Sequence, residues 1–208
     1  TRMAIAALLR ENLRKAEEYL FDLKSAEEDE DIDKPEFDIK LESLIPVLKK
    51  EIPLKAHAHR ADDMFTAIRI AKEFNLKLTL DHCTEGHLVV DELIDEGYPM
   101  IVGPSMTERS KIELRNLTFE TAGILSNSGL DICLMTDHPV IPIQYLPICA
   151  SIAIKYGMKQ ERALEAITIN PAKVLGIEDR VGSIEVGKDA DIVIWDNNPF
   201  EINSHVLY

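Results

Sequence analysis

With 208 residues, 46% of them apolar and 29% charged, the chain has the composition of a globular protein long enough to bury a core. Its formal charge of −14 argues against binding a nucleic-acid backbone, which calls for clustered Lys and Arg. No apolar run reaches membrane-spanning length, no signal-peptide pattern is visible, and Cys83, Cys133 and Cys149 are too widely spaced for a CxxC pair or a disulfide framework, so the expected compartment is a reducing cytoplasm.

In chain order, residues 3–24 place Ile5, Leu8, Leu9, Leu13, Tyr19 and Leu20 at helical spacing and predict a first helix. The chain opens inside this pattern without an initiator Met, which raises the expectation of a preceding segment. The stretch SAEEDEDIDKPEFD (25–38) holds much of the acid and reads as a solvated loop. A second helix is predicted from Ile39 to Lys50, ahead of Pro53. From there strands alternate with amphipathic helices. The strands are PLKAH, KLTLDH, PMIVGP and DICLMTD, and the helices between them are DDMFTAIRIAKEF, GHLVVDELIDEG and LTFETAGILSNSG. Helices over 144–156, 159–168 and 171–175 follow. This rhythm predicts βα units on a parallel sheet. The tail, RVGSIEVGKDADIVIWDNNP, changes to short apolar runs between Gly and Asp turns and predicts a small β element. The expected division is therefore 1–175 and 176–208.

Chemistry-bearing residues gather at one address in this pattern. The first strand ends at His57, the second at His82 and the fourth at Asp137, while the third ends in Gly103-Pro104. In parallel α/β folds, chemistry collects at the carboxyl ends of strands. Two imidazoles and a carboxylate there suit Zn²⁺, Mn²⁺ or Fe²⁺, with nickel as a further possibility. Because residues i and i+2 of a strand share a face, His57 and His59 could both enter one metal site, or one could bind metal and the other substrate. Each has a plainer reading as a satisfied polar group, and Asp137 could merely cap a turn. His87 fits the start of a helix, and His205 lies in the tail without a role.

HAHRADD, LDHCTEG and TDHP, in that order and spacing, resemble the fifth-, sixth- and eighth-strand motifs of the amidohydrolase superfamily, most closely its imidazolonepropionase-like branch. The tail TINPAKVLGIEDRVGSIEVGKDADIVIW (168–195) is similar to the closing signature of that superfamily. The resemblance spans about residues 50 to 200. A (β/α)8 barrel spends roughly 250 residues on eight units. The 80 residues from His57 to Asp137 therefore hold three units, which makes HAH the fifth strand and not the first.

The resemblance implies a partial (β/α)8 TIM barrel, strands 5–8 with their helices, followed by a small β element. It implies metal ligands His57, His82 and Asp137, with zinc the expected metal, and His59 facing substrate, an exchange of roles between His57 and His59 being left open. The implied reaction is hydrolysis of a C–N bond in a cyclic or linear amide, or ring deamination. Asp137 would act as general base and then acid, His59 would stabilise the oxyanion, and Arg60 and Glu85 would orient a small-molecule substrate. A first-strand HxH and a fourth-strand ligand are missing. The expectation is thus a carboxyl-terminal half, inactive alone, that self-associates or pairs with an amino-terminal half. Two rivals stand beside it: a structural half-barrel with vestigial metal residues, and a metal-dependent phosphoesterase, for which only Arg60 and GPSMTERSK offer phosphate contacts.

Overall fold

A computed structural model describes residues 1–208. The chain divides into two compact units, residues 1–56 with 62–78 and residues 57–61 with 79–208. No helix is long and apolar enough to cross a membrane.

The first unit is dominated by α1 (Arg2–Glu28), whose first turn is capped by the Thr1 hydroxyl accepting from the Ala4 amide. Leu13, Ala16 and Tyr19 form its buried stripe, at the i, i+3 and i+6 spacing of one helix face. The predicted second helix is two single turns, α2 (Ile39–Glu42) and α3 (Ile45–Leu48). Pro46 explains the break: it has no N–H to bond the carbonyl of Glu42, and its ring crowds that carbonyl. Asp38 caps α2 through the Lys40 and Leu41 amides, and Tyr19 donates to Glu42 at 2.9 Å. In the same unit, α4 (Ala61–Glu73) is tied to α1 by Arg2–Asp63 at 2.7 Å and Arg10–Glu73 at 2.6 Å.

Strands β1 (Leu54–Ala58), β2 (Leu78–His82), β3 (Met100–Val102) and β4 (Ile132–Leu134) form one sheet in sequence order. β2 pairs with β3 in parallel, His82 opposite Val102, and β3 pairs with β4 in parallel, Val102 opposite Leu134. The carboxyl ends of β1 and β2 lie in the second unit, together with α5 (Val90–Glu96), α6 (Thr121–Asn127), α7 (Leu146–Lys155), α8 (Gln160–Ile167) and α9 (Ile169–Leu175). The last four pack along β4. Ala150, Ala153, Ala163, Ala166 and Ala172 are all buried, and side chains that small let these helices approach closely. Asn170 donates to the Ile132 carbonyl at 2.9 Å, and Arg162 pairs with Asp131 at 2.7 Å. These two contacts fix α8 and α9 against the start of β4.

This α/β order on a parallel sheet is the expected one. Two predicted helices begin later than their apolar patterns. A 3-10 turn at Gly86–Leu88 precedes α5, and α6 starts only at Thr121. The predicted small β element is corrected: residues 176–208 hold one antiparallel bridge, Trp195 with Val206, and no strand. Ile184 is 86% exposed and Val186 wholly so. Alternating apolar residues become a strand only where a neighbour pairs their backbone and covers one face; residues 205–208 pair only residues 194–196, and the stretch around Ile184 and Val186 has no such neighbour.

Candidate metal centre

The site is assembled by the residues that follow the strands. β1 ends at Ala58, leaving exposed His57 as the last outward side chain of the strand and buried His59 just beyond it. β2 ends at His82, whose φ of 77° is left-handed, as is the 48° of Cys83. Such backbone costs a non-glycine residue roughly 1–3 kcal/mol and persists only where its surroundings impose it. One nitrogen from each of His57, His59 and His82 lies within 4.8 Å of the others.

The hydrogen bonds around these rings assign their protons. His82 Nδ1 lies 2.7 Å from the Gly103 carbonyl, which can only accept. Nδ1 therefore carries the proton, and Nε2 presents a lone pair. That lone pair meets His57 Nδ1 at 3.0 Å, so His57 Nδ1 donates to it. Nitrogens bound to one tetrahedral zinc at about 2.0–2.1 Å would sit about 3.3 Å apart, so His57 and His82 fit a shared divalent ion that takes the place of that proton. A ring whose second nitrogen is held by a carbonyl is the usual arrangement of a metal-binding histidine.

The third ring, His59, has Nδ1 at 2.8 Å from the Thr84 hydroxyl and Nε2 at 4.0 Å from Glu113. Burial, followed by the neighbouring His82, His57 and Lys111, lowers its pKa to about 4. Burial also lowers that of His82, against the opposing pull of the Gly103 carbonyl and of Asp137. Both rings are thereby held neutral, the form that ligates metals.

The other predicted residues are placed less uniformly. Asp137 lies exposed in a turn after β4, with φ 51°, and its charge acts on His82, but it is not a member of the three-nitrogen cluster. Arg60 sits in the bend between His59 and α4. Glu85, expected to orient substrate, lies three residues beyond β2. It is only 6% exposed, and its carboxylate accepts from the Asn116 side chain at 2.8 Å and the Ala61 amide at 3.0 Å. Each oxygen thus accepts one hydrogen bond from within the protein. A cavity beside His82 is lined by Thr84, Gly103, Phe119, Leu134, Met135 and Cys149, among others.

Thr84, Gly103 and Glu113 were not singled out by the sequence for these contacts. Thr84 and Gly103 do stand next to the motif residues, in DHCTEG and at the end of the third strand. Glu113 lies in a 3-10 turn (Ile112–Leu114) with no motif at all.

The profile of the amidohydrolase family matches residues 48–207. The crystal structure of an amidohydrolase from Thermotoga maritima superposes with a TM-score of 0.94 at 45% identity, covering 99% of this chain and 54% of that one. Amidohydrolase tasK of Hapsidospora irregularis is 27% identical over 172 residues, which are 80% of this chain and 17% of its own length. The imidazolonepropionase of Thermoplasma volcanium is 40% identical over 83 residues, 38% of this chain and 20% of its own length. The chain thus spans about half of the Thermotoga protein and a fifth or less of these two relatives.

Proposed function

On the premise that the chain belongs to the amidohydrolase family, we propose that it carries the carboxyl-terminal half of the catalytic face of a metal-dependent hydrolase. The reaction is cleavage of a C–N bond in a cyclic or linear amide, or deamination of a ring. The observation that carries this reading is the facing pair of nitrogens, His57 Nδ1 and His82 Nε2, 3.0 Å apart, with the far side of His82 anchored on Gly103.

His57, His82 and Asp137 would hold the divalent ion, zinc by preference and otherwise manganese, iron or nickel. The chemistry such an ion supplies is to lower the pKa of water to about 7. Asp137 takes the proton of the attacking water and returns it to the leaving nitrogen, a shuttle suited to an exposed carboxylate at a strand end. His59 contacts the oxygen on which negative charge develops. Arg60 orients the substrate from the bend beyond β1. The substrate is a small molecule.

Because the chain spans 54% of the Thermotoga structure, turnover is assigned to the longer protein. This chain alone is inactive and associates with an amino-terminal half or with itself. The three cysteines are free and buried, which suits the cytoplasm.

The test is Asp137→Asn in the complete enzyme. Turnover should fall about 10²–10⁴-fold, the usual contribution of a positioned acid–base group, with an unchanged circular dichroism spectrum. Undiminished turnover would remove Asp137 from the chemistry. A complete enzyme free of bound metal in elemental analysis would favour a structural half-barrel with vestigial histidines.

A further inference from the structure

Three imidazoles converge, yet the structure distinguishes one of them from the other two. His57 and His82 face each other directly, and the second nitrogen of His82 is taken by a carbonyl. His59 is held by a hydroxyl, which can either donate or accept, so its proton is decided by what else the hydroxyl can reach.

Thr84 is 4% exposed, and its Oγ1 has a single hydrogen-bond partner, His59 Nδ1 at 2.8 Å. If His59 donated from Nδ1, the Thr84 hydroxyl hydrogen would be buried with no acceptor, an arrangement proteins avoid. If Thr84 donates to Nδ1, the buried hydroxyl is satisfied: the proton of His59 then sits on Nε2, which faces the Glu113 carboxylate from 4.0 Å, beyond hydrogen-bond distance, and is left free to donate to a ligand. The adjacent residue holds the backbone in register, because the Glu85 amide donates to the His59 carbonyl at 2.9 Å. Consecutive residues Thr84 and Glu85 thus grip the ring and the main chain of His59 together.

We propose that Thr84 is a positioning residue that fixes His59 in the Nε2–H form, making it a hydrogen-bond donor toward a substrate oxygen and keeping it out of the metal's ligand set. The assignment of a substrate oxygen as the acceptor rests on the hydrolase reading above. The assignment of the proton rests only on Thr84. On this assignment the HAH motif divides its labour, with His59 donating to substrate and ligation left to His57.

The experiment is ¹H–¹⁵N correlation of imidazole nitrogens in the histidine-labelled chain at mildly alkaline pH, metal-free and after zinc addition, with His59 signals identified by their loss in His59→Asn. The wild type should show the Nε2–H pattern for His59 in both states. Thr84→Val, nearly isosteric, should lose that bias, and Thr84→Ser should restore it. Zinc stoichiometry should be the same in all three proteins. An Nδ1–H pattern in the wild type, or a Thr84→Val spectrum indistinguishable from wild type, would overturn the proposal, as would a zinc-dependent loss of the His59 Nε2–H signal. Failure of zinc to bind any of the proteins, with the Nε2–H pattern intact, would show that the ligands of this chain do not hold the metal by themselves and would still support the role of Thr84.

Discussion

Gly103 is where a single atom most directly controls the site. Its carbonyl takes the His82 Nδ1 proton, its φ is +130°, and a Cβ there would come 2.6 Å from the Met135 carbonyl oxygen. No side chain fits that gap without moving the backbone that supplies the hydrogen bond. Gly103→Ala should therefore lower stability by roughly 1–3 kcal/mol through strain. It should also weaken zinc binding about 10–100-fold, the usual cost of losing a ligand's outer partner. Thermal melts and a competitive zinc-chelator titration on the same sample separate the two effects. Zinc affinity equal to wild type would show that the Gly103 carbonyl does not orient His82. The strain at His82 and Asp137 is of the same kind, both left-handed and both at strand ends. Nothing in the one-letter sequence announces it, because histidine and aspartate carry no conformational signature of the kind glycine does.

At the scale of elements, the segment after β2 braces the segments after β1 and β3, and Glu85 is the brace. Its carboxylate joins Ala61, the first residue of α4, to Asn116 on the loop that also carries Glu113. Both partners are N–H donors, so the position calls for two acceptors. Glutamine offers only one acceptor oxygen and would turn a donor toward the other N–H. Hydrogen bonds to a charged acceptor contribute about 1.5–3 kcal/mol each. Glu85→Gln should thus cost at least about 2 kcal/mol in denaturant unfolding, close to the loss in Glu85→Ala. A glutamine variant as stable as wild type would mean the carboxylate only fills space. The sequence placed Glu85 near the site by its distance from His82, but could not tell an inward carboxylate from an outward one. That depends on Asn116, which is 31 residues away and reaches Glu85 only through the fold. The division of the predicted helix 39–50 was easier to anticipate, since Pro46 lies in plain view and its consequence is local.

For the whole molecule, what was legible from the sequence was whatever repeats with a short period or sits at a fixed offset from a strand. The alternation of strands and helices, and the convergence of His57 and His82, follow from strand ends in a parallel sheet sharing one edge. The alternation of the tail predicts β structure, yet only residues 194–196 find a backbone partner, at 205–208, because a strand needs a neighbour that alternation does not announce. The same dependence bears on the metal. All three clustered histidines belong to residues 57–61 and 79–208, a single compact unit, so the cluster does not require the first unit for any ligand. If the cluster is organised as described, zinc should bind the folded chain in preference to the unfolded one. At free zinc a hundredfold above its dissociation constant, this adds about 2.7 kcal/mol. For a chain of this length the thermal midpoint should then rise by roughly 5–10 °C. Differential scanning fluorimetry with zinc and with EDTA measures the shift, and His82→Asn should abolish it, since that change removes the ligand whose proton Gly103 fixes. A midpoint that ignores zinc would mean that two oriented imidazoles and a nearby aspartate do not suffice for tight binding. The ligands that complete the site would then have to come from strands outside this chain. A shift that survives His82→Asn would place the bound zinc elsewhere, and the geometry around Gly103 would have to be explained without it.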